Sequence, residues 1–152
     1  MAVKIKDTDK GYRRTVAEMR AFNGQTLSVG VHESKPHSGG PLTTAELFAI
    51  HEFGLGNVPE RSMLRAWVDG NKRSINREIS KAAQRILKTA NQGKASKREL
   101  NRLGLAFVAS IQGRIAASIP PPLAPATIKR KGSSVPLIDT GQLRQSITHK
   151  VS

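Results

Sequence analysis

The sequence predicts an α+β fold in which a small antiparallel sheet packs on two long antiparallel helices. Three observations predict it: a segment of strict apolar–polar alternation in the first third of the chain, two long stretches of helical apolar periodicity in the middle, and a strand-like segment at the end. The length suits one domain, 1–152, with a single modest core.

An N-terminal helix is predicted first, within a unit that spans residues 1–24. Tyr12, Val16 and Met19 recur at helical spacing, which indicates a short amphipathic helix over much of 8–22. We expect this helix to dock on the rest of the domain through one narrow apolar stripe.

The first strand is predicted over 26–32, where apolar and polar residues alternate. Leu27, Val29 and Val31 share one face of this segment, which is the pattern of a half-buried strand. Residues 34–41 then have the proline, glycine and serine content of a surface loop.

A second helix is predicted after this loop. Thr43 and Glu46 have the spacing of a capping box, which marks a helix N-terminus. Gly54 is suited to end the helix, because glycine tolerates a left-handed conformation, and a loop over 54–59 should follow. The residues expected to face inward are Leu47, Ile50 and Phe53.

The third helix is predicted to be the longest, from about residue 62 to 91, which is about 45 Å if it is unbroken. Gly70 could bend or interrupt it. Its apolar face carries Ile75, Ile79, Ala82, Ala83, Ile86 and Ala90. The opposite face, which we call the basic face, carries Arg73, Arg77, Lys81, Arg85 and Lys88.

A fourth helix is predicted to begin at a second capping box formed by Ser96 and Glu99. Its apolar residues are Leu100, Leu103, Phe107, Val108, Ile111 and Ile115. Because the connection from the third helix is short, the two helices should pack antiparallel. We expect the apolar face to be core, or in part a contact with a neighbouring subunit.

Prolines end the fourth helix and begin a segment, 119–138, that we call the arm. Ile119-Pro120-Pro121-Pro122 removes backbone donors, and Lys129-Arg130-Lys131 adds charge. Such a segment has little means of burying itself, so we expect it to extend outward and to order on a neighbour. A last strand near 146–151 is expected to pair with strand 26–32.

The formal net charge of +14 points to acidic partners: nucleic acid, a membrane surface or an acidic protein. Residues 1–60 hold 7 basic and 7 acidic side chains, residues 61–103 hold 12 and 3, and residues 104–152 hold 6 and 1. The excess of nine charges in the middle segment favours a partner for the basic face over an ordinary solvated helix face. With one Trp and one Tyr, any DNA contact should be to the backbone and independent of sequence.

Other function classes find little support. The chain has no cysteine, which excludes disulfides and thiolate metal sites. A signal peptide and a membrane-spanning stretch are both missing, so we expect no membrane partner. We also find no paired carboxylates, nucleophile elbow or phosphate-binding glycine loop. We therefore expect a protein that is not an enzyme and needs no cofactor.

The histidines predict no metal site. His51-Glu52 invites comparison with zinc enzymes, but Leu55 occupies the position where the second histidine is needed. His32, His37 and His149 could converge with His51, yet no carboxylate motif frames them. We expect all four histidines to be hydrogen-bonded or solvent-facing.

Two motifs carry a resemblance to a known family. The first contains His51, Glu52, Phe53, Gly54, Pro59 and Arg61, and the second contains Asp139, Thr140, Gly141 and Leu143. In this order they resemble the virion-morphogenesis and neck-protein families of tailed bacteriophages. Members of these families show an apolar helix ending in His-Glu-Phe-Gly, then Ile-Pro-x-Arg-Pro-Phe-Leu, and later Leu-x-Asp-Thr-Gly-x-Leu-x-x-Ser-Ile. Ser62 and Met63 depart from the family's Pro-Phe, and the likeness spans roughly residues 25–152.

The resemblance implies a structural virion protein that completes tails or joins them to heads. It would form a ring around the DNA channel, a hexamer by preference and a dodecamer as the alternative, after assembly in the host cytoplasm. Its partners would be copies of itself, head-closure or connector proteins, and tail-terminator or tail-tube proteins. The basic face, with Lys129, Arg130 and Lys131, would meet the packaged DNA or an adjacent ring.

Charge alone suggests a rival from another class, a free DNA-binding protein without sequence preference. A small nuclease ranks third.

The motif residues themselves predict turns and helix ends, and they predict no catalytic chemistry. Asp139-Thr140-Gly141 suits a sharp turn that fixes the positions of Leu143 and Ile147. Pro59 should stiffen the entry to the third helix, where the Arg61 guanidinium can bind carbonyls or an acidic neighbour in a fixed fork.

Overall fold

The fold comes from a computed structural model, which describes residues 9–32, 35–37, 40–89 and 94–152. Its elements are, in order, α1 (Tyr12–Phe22), β1 (Leu27–Val31), α2 (Thr44–Phe53), α3 (Arg65–Thr89), α4 (Lys94–Ala116), α5 (Pro125–Lys131), α6 (Gln142–Gln145) and β2 (Ile147–Val151). The predicted α+β class is confirmed, because a two-stranded antiparallel sheet packs against long helices.

The two strands pair although they come from distant parts of the chain. Their register sets Leu27 opposite Val151 and Val31 opposite Ile147. Val29 and Val31 pack against the core, and Ile147 is fully buried, so the predicted alternation and the predicted pairing are both confirmed. The sheet lies mainly on α4.

The two long helices run antiparallel, as predicted. Near the start of α3, the Trp67 indole Nε1 donates to Ser110 Oγ late in α4, at 2.8 Å. The same indole meets the Phe107 ring edge-on, with centroids 5.5 Å apart. Towards the other end, Arg85 Nε lies 2.7 Å from Glu99 Oε2 early in α4. These contacts fix the register of the pair.

The core lies between α3, α4 and the sheet. Its buried members are Met63, Trp67, Ile111, Ile115, Ile119, Leu137, Leu143 and Ile147. The apolar face predicted for α4 is confirmed, because Leu100 and Leu103 are also buried and Phe107 and Val108 pack against the cluster. Each large apolar side chain buried in this way contributes about 1.5–3 kcal/mol relative to an exposed one.

The apolar faces of three helices are narrower than predicted. Tyr12 and Met19 in α1 are 76 % and 61 % exposed, and Ile79 in α3 is 48 % exposed. Ala83 is also exposed. Phe53, predicted to face inward at the end of α2, is 56 % exposed and instead lies under a guanidinium. The reason is coverage: α1 and α3 pack on α4 and on each other, so the apolar side chains that face away from these contacts stay exposed.

The first capping box is confirmed and the second is wrong. Thr43 Oγ1 accepts from the Glu46 backbone N–H, and the Glu46 carboxylate accepts from the Thr43 backbone N–H. Helix α4, however, already includes Lys94, so Ser96 lies inside its first turn and is fully buried. The Glu99 carboxylate is paired with arginines instead of returning to a cap.

Helix α3 is continuous through Gly70, so this glycine does not interrupt it. The α3 helix begins at Arg65, three residues later than expected from residue 62. Ala90 and the predicted end near residue 91 lie outside the described residues.

The arm does not extend outward. It contains α5, and both of its ends are buried: Ile119 and Leu137 belong to the core, and Pro136 is fully buried beside them. The outward path was predicted from the prolines and charges of the segment. The apolar residues at its two ends are buried instead, and they determine its path. The exposed part of the arm is the middle, around α5.

Candidate interaction sites

The two motifs, far apart in the sequence, line one cavity of about 270 Å³. His51 and Arg61 come to it from the first motif, and Asp139, Thr140 and Gly141 come from the second. We call it the motif cavity. The structure thus brings together residues that the sequence could only place in two separate runs.

Glu52 connects α2 to α3. Its side chain is only 3 % exposed, and its two carboxylate oxygens accept from three successive backbone N–H groups, those of Met63, Leu64 and Arg65, at 2.6, 3.0 and 2.8 Å. The Ser62 hydroxyl donates a fourth bond at 2.7 Å. A helix N-terminus has unpaired N–H groups and favours a negative charge, and Glu52 supplies both the acceptors and the charge.

The pKa of Glu52 reflects two opposing effects. Burial alone would raise the pKa, but the backbone bonds from Leu64, Arg65 and Met63 and the Ser62 hydroxyl bond stabilise the anion, so the pKa is below its ordinary value. Nothing in the local sequence predicts this role, because the donors lie 10 to 13 residues further along the chain.

The turn after α2 confirms the role predicted for Gly54. Gly54 ends the helix in the left-handed region, at φ 65° and ψ 51°, and a Cβ added there would lie 2.8 Å from the Glu60 backbone nitrogen. Pro59 is exposed and lies six residues before Arg65, the first residue of α3. The backbone N–H groups at the α3 N-terminus donate to Glu52, and the stiffening expected of Pro59 stays a prediction.

Arg61 confirms the fork predicted for it. The guanidinium donates from Nε to the Pro121 carbonyl at 2.9 Å and from Nη2 to the Pro122 carbonyl at 3.3 Å. The residue is buried, which lowers the pKa of Arg61, although an arginine remains charged at neutral pH. Its backbone N–H donates to the His51 carbonyl at 2.8 Å. Arg61 therefore fixes the start of the arm to the end of α2.

The second motif forms the predicted turn. Gly141 has φ 80°, and it precedes the short helix α6. Thr140 Oγ1 accepts from the Gln142 backbone N–H at 3.3 Å. The turn directs Leu143 and Ile147 into the core, where both are buried. The residues of this motif thus build the fold, and the cavity lies where the turn meets α2.

The basic face is less uniform than predicted. Arg73, Arg77 and Lys88 are exposed. Lys81 donates to Glu78 at 2.9 Å on the same helix, and Arg85 pairs with the buried Glu99. Arg85 therefore belongs to the contact between α3 and α4, and the exposed positive surface of this face consists mainly of the other four.

The three adjacent cations at the end of α5 also differ in exposure and contacts. Lys129 and Arg130 are exposed, whereas Lys131 is half-buried and donates to the Val135 carbonyl at 2.8 Å. Burial is the main cause of the lowered pKa of Lys131. Arg130 and Lys131 line the motif cavity with Arg61, and no residue of the basic face does so.

Two of the four histidines depart from expectation. His32 contacts Ser28 and Thr148 at 2.8 and 3.0 Å, and His149 contacts Asn101 at 3.0 Å, as expected for hydrogen-bonded side chains. His37 and His51 instead line the motif cavity.

Within the described part of the chain, the buried Nδ1 atoms of His37 and His51 have no hydrogen-bond partner. Burial, with Arg61 and Lys131 nearby, lowers the pKa of His51 to about 4.

Across residues 9–32, 35–37, 40–89 and 94–152, no group of three metal-binding side chains comes together. Within the same ranges, every helix is too short or too polar to span a lipid bilayer. Comparisons with protein-family models, curated proteins and solved structures found no match to this chain.

Proposed function

We propose that this chain is a ring-forming neck or tail-completion subunit at the head–tail junction of a tailed-bacteriophage virion. A hexamer is the preferred ring and a dodecamer the alternative. Head-closure or connector proteins would lie on one side, and tail-terminator or tail-tube proteins on the other. The observation that carries the proposal is that the two motifs resembling this family converge on one cavity and fix one set of elements: α2, the start of α3, the arm and α6.

An exposed apolar groove between α1 and α3 supports association of copies. It is lined by Met19, Phe22, Ala83, Ile86 and Leu87. Contiguous apolar surface of this kind is suited to a contact with another protein. Because a ring needs two different surfaces on each subunit that fit each other, we assign the groove to one side of the contact between copies.

The exposed residues of the basic face supply the second property that a neck subunit needs. Arg73, Arg77 and Lys88 present positive charge on one side of a rigid helix. Such a surface suits the phosphate backbone of DNA in the lumen or the acidic surface of an adjacent ring. Neither contact requires base-specific side chains.

The decisive experiment is deletion of the gene from the phage that encodes it, followed by electron microscopy of the lysate. The proposal predicts full heads and tails that remain separate, and normal infectious particles would overturn it. Complementation should fail with Leu87→Glu, which places a charge in the groove. It should succeed with Leu105→Glu, because Leu105 is exposed on α4 outside the groove.

The rival function, sequence-independent DNA binding by the free protein, is favoured by the net charge of +14. The two hypotheses differ in salt dependence. A free DNA-binding protein should bind bare duplex tightly, with a steep loss of affinity as salt increases. A neck subunit should bind bare duplex weakly and be recovered in purified virions.

A further inference from the structure

Three cationic side chains surround the motif cavity. Arg61, Arg130 and Lys131 line it, and Asp139 is the only carboxylate among its described lining residues. Two of the cations are held in place by their own chain, Arg61 by the Pro121 and Pro122 carbonyls and Lys131 by the Val135 carbonyl. The described lining of the cavity therefore has a net charge of +2, and two of its three cations are fixed before any ligand arrives.

The cations of the cavity affect the pKa values of other groups in its wall. After burial, the positive charges of Arg61 and Lys131 are what lower the pKa of His51. Burial is also the largest cause of the lowered pKa of Lys131, which Asp139 raises and Arg61 lowers further. A bound anion would offset the positive charge that these groups share.

The cavity also has an apolar side. Leu47, Leu123, Leu137 and Leu143 contribute to its wall. Its volume of about 270 Å³ equals roughly nine water molecules at about 30 Å³ each. A ligand with one acidic group beside an apolar body fits both the charge and the size. Duplex DNA fits neither well, because its phosphates lie on a wide convex surface and a recess of this size reaches one of them at most.

We propose that the motif cavity binds a carboxylate group presented by an acidic segment of a different protein. A second copy of this chain is disfavoured as the source, because its described carboxylates outside the cavity already bind groups of their own chain, as Glu52, Glu60 and Glu99 do. The inference deepens the proposed neck function by giving the chemistry of one partner. Its test uses a small probe, so its failure is distinguishable from failure of the neck assignment.

The experiment is an NMR titration of the full chain, labelled at its histidines, with N-acetyl-leucine as the probe. This molecule combines a carboxylate with one apolar side chain. The ring signals of His37 and His51 should shift saturably, whereas those of His32 and His149 should not. The pKa of His51 should rise when the probe is bound, because the added negative charge favours the imidazolium.

Variants of two adjacent residues provide a matched comparison. Arg130→Gln removes an exposed cation of the cavity wall, and the affinity for N-acetyl-leucine should fall at least fivefold. Lys131→Gln should have a similar effect. Lys129→Gln, one residue away on α5 but not in the wall, should leave the affinity unchanged. Backbone NMR spectra of each variant report whether it folds.

Several outcomes would overturn the proposal. One is a shift of the His37 and His51 signals that is equally large with the neutral N-acetyl-leucinamide. Another is a shift with inorganic phosphate but none with N-acetyl-leucine. The third is an unchanged affinity for N-acetyl-leucine in Arg130→Gln. Displacement of the probe by duplex DNA would assign the cavity to nucleic acid instead. Self-association of the protein that N-acetyl-leucine dissociates would identify a second copy as the source of the carboxylate.

Discussion

Replacing Glu52 by glutamine tests whether one buried carboxylate holds α2 and α3 together. In the native structure this carboxylate accepts four hydrogen bonds, three of them from backbone N–H groups at the start of α3. In Glu52→Gln an NH₂ group replaces one of the two oxygens. The amide can turn its nitrogen towards the Ser62 hydroxyl, which is able to accept, but the Arg65 N–H then loses its acceptor.

The expected loss of stability follows from these contacts. A buried N–H left without an acceptor costs about 1–3 kcal/mol. The remaining bonds lose their charge assistance, which adds about 1 kcal/mol. We therefore expect Glu52→Gln to reduce the free energy of unfolding by about 2–4 kcal/mol. In a chain of this size that corresponds to a decrease in Tm of about 4–16 °C.

The assay is urea unfolding at pH 7, with Glu60→Gln as the control. Glu60 is exposed and pairs with Arg65, so its replacement should cost less than about 1 kcal/mol. Because the folded-state pKa of Glu52 is lowered, its contribution is complete above the ordinary value of 4.5 and is lost as the pH falls through the folded-state value. The difference between wild type and Glu52→Gln should therefore shrink in acid. A variant within about 0.5 kcal/mol of wild type at pH 7 would refute this account.

Three further predictions concern packing and pH. Gly104→Ala should destabilise the fold by about 1–3 kcal/mol, because the new Cβ would lie 2.4 Å from the His149 ring; Gly113→Ala, with open space around it, should stabilise α4 by up to about 1 kcal/mol. Equal effects in thermal unfolding would contradict the close approach. Ile111→Ala in the core should cost about 2–5 kcal/mol in urea unfolding, and a cost under about 1 kcal/mol would place this residue outside the core. The lowered pKa of His51 means that the unfolded state binds the proton first, so wild type should lose stability between pH 6.5 and about 4. His51→Gln should lose less over that range, and an unchanged pH profile would contradict the burial of this imidazole.

Most of the secondary structure was predictable, because local rules decide it. The alternation in β1, the Thr43 capping box and the glycine at the end of α2 each depend on a few adjacent residues. The pairing of β1 with β2 followed from composition and the small number of strand-like segments. Prediction failed where a local signal competed with tertiary packing, as at Ser96, which has the sequence of a cap but lies inside α4.

The path of the arm and the site could not be predicted for a related reason. Prolines and charges in the arm indicated exposure, yet Ile119 and Leu137 at its ends are core residues. Likewise, the distance between the two motifs in the sequence hid the cavity that they share. Only the three-dimensional fold sets Arg130 and Lys131 beside Arg61.

The contacts of the motif residues separate two roles that a motif can combine. The polar groups of Glu52 and Arg61 bind the chain itself. Glu52 accepts from the α3 N-terminus, and Arg61 donates to the Pro121 and Pro122 carbonyls. Replacing either should disturb the fold, and any loss of assembly would then be indirect. Arg130 is exposed at the cavity wall and makes no comparable structural contact among those described. If Arg130→Gln no longer binds a partner protein but keeps an unchanged Tm, the loss therefore reports on recognition. Variants of Glu52 or Arg61 cannot make this distinction, because they should also disturb the fold.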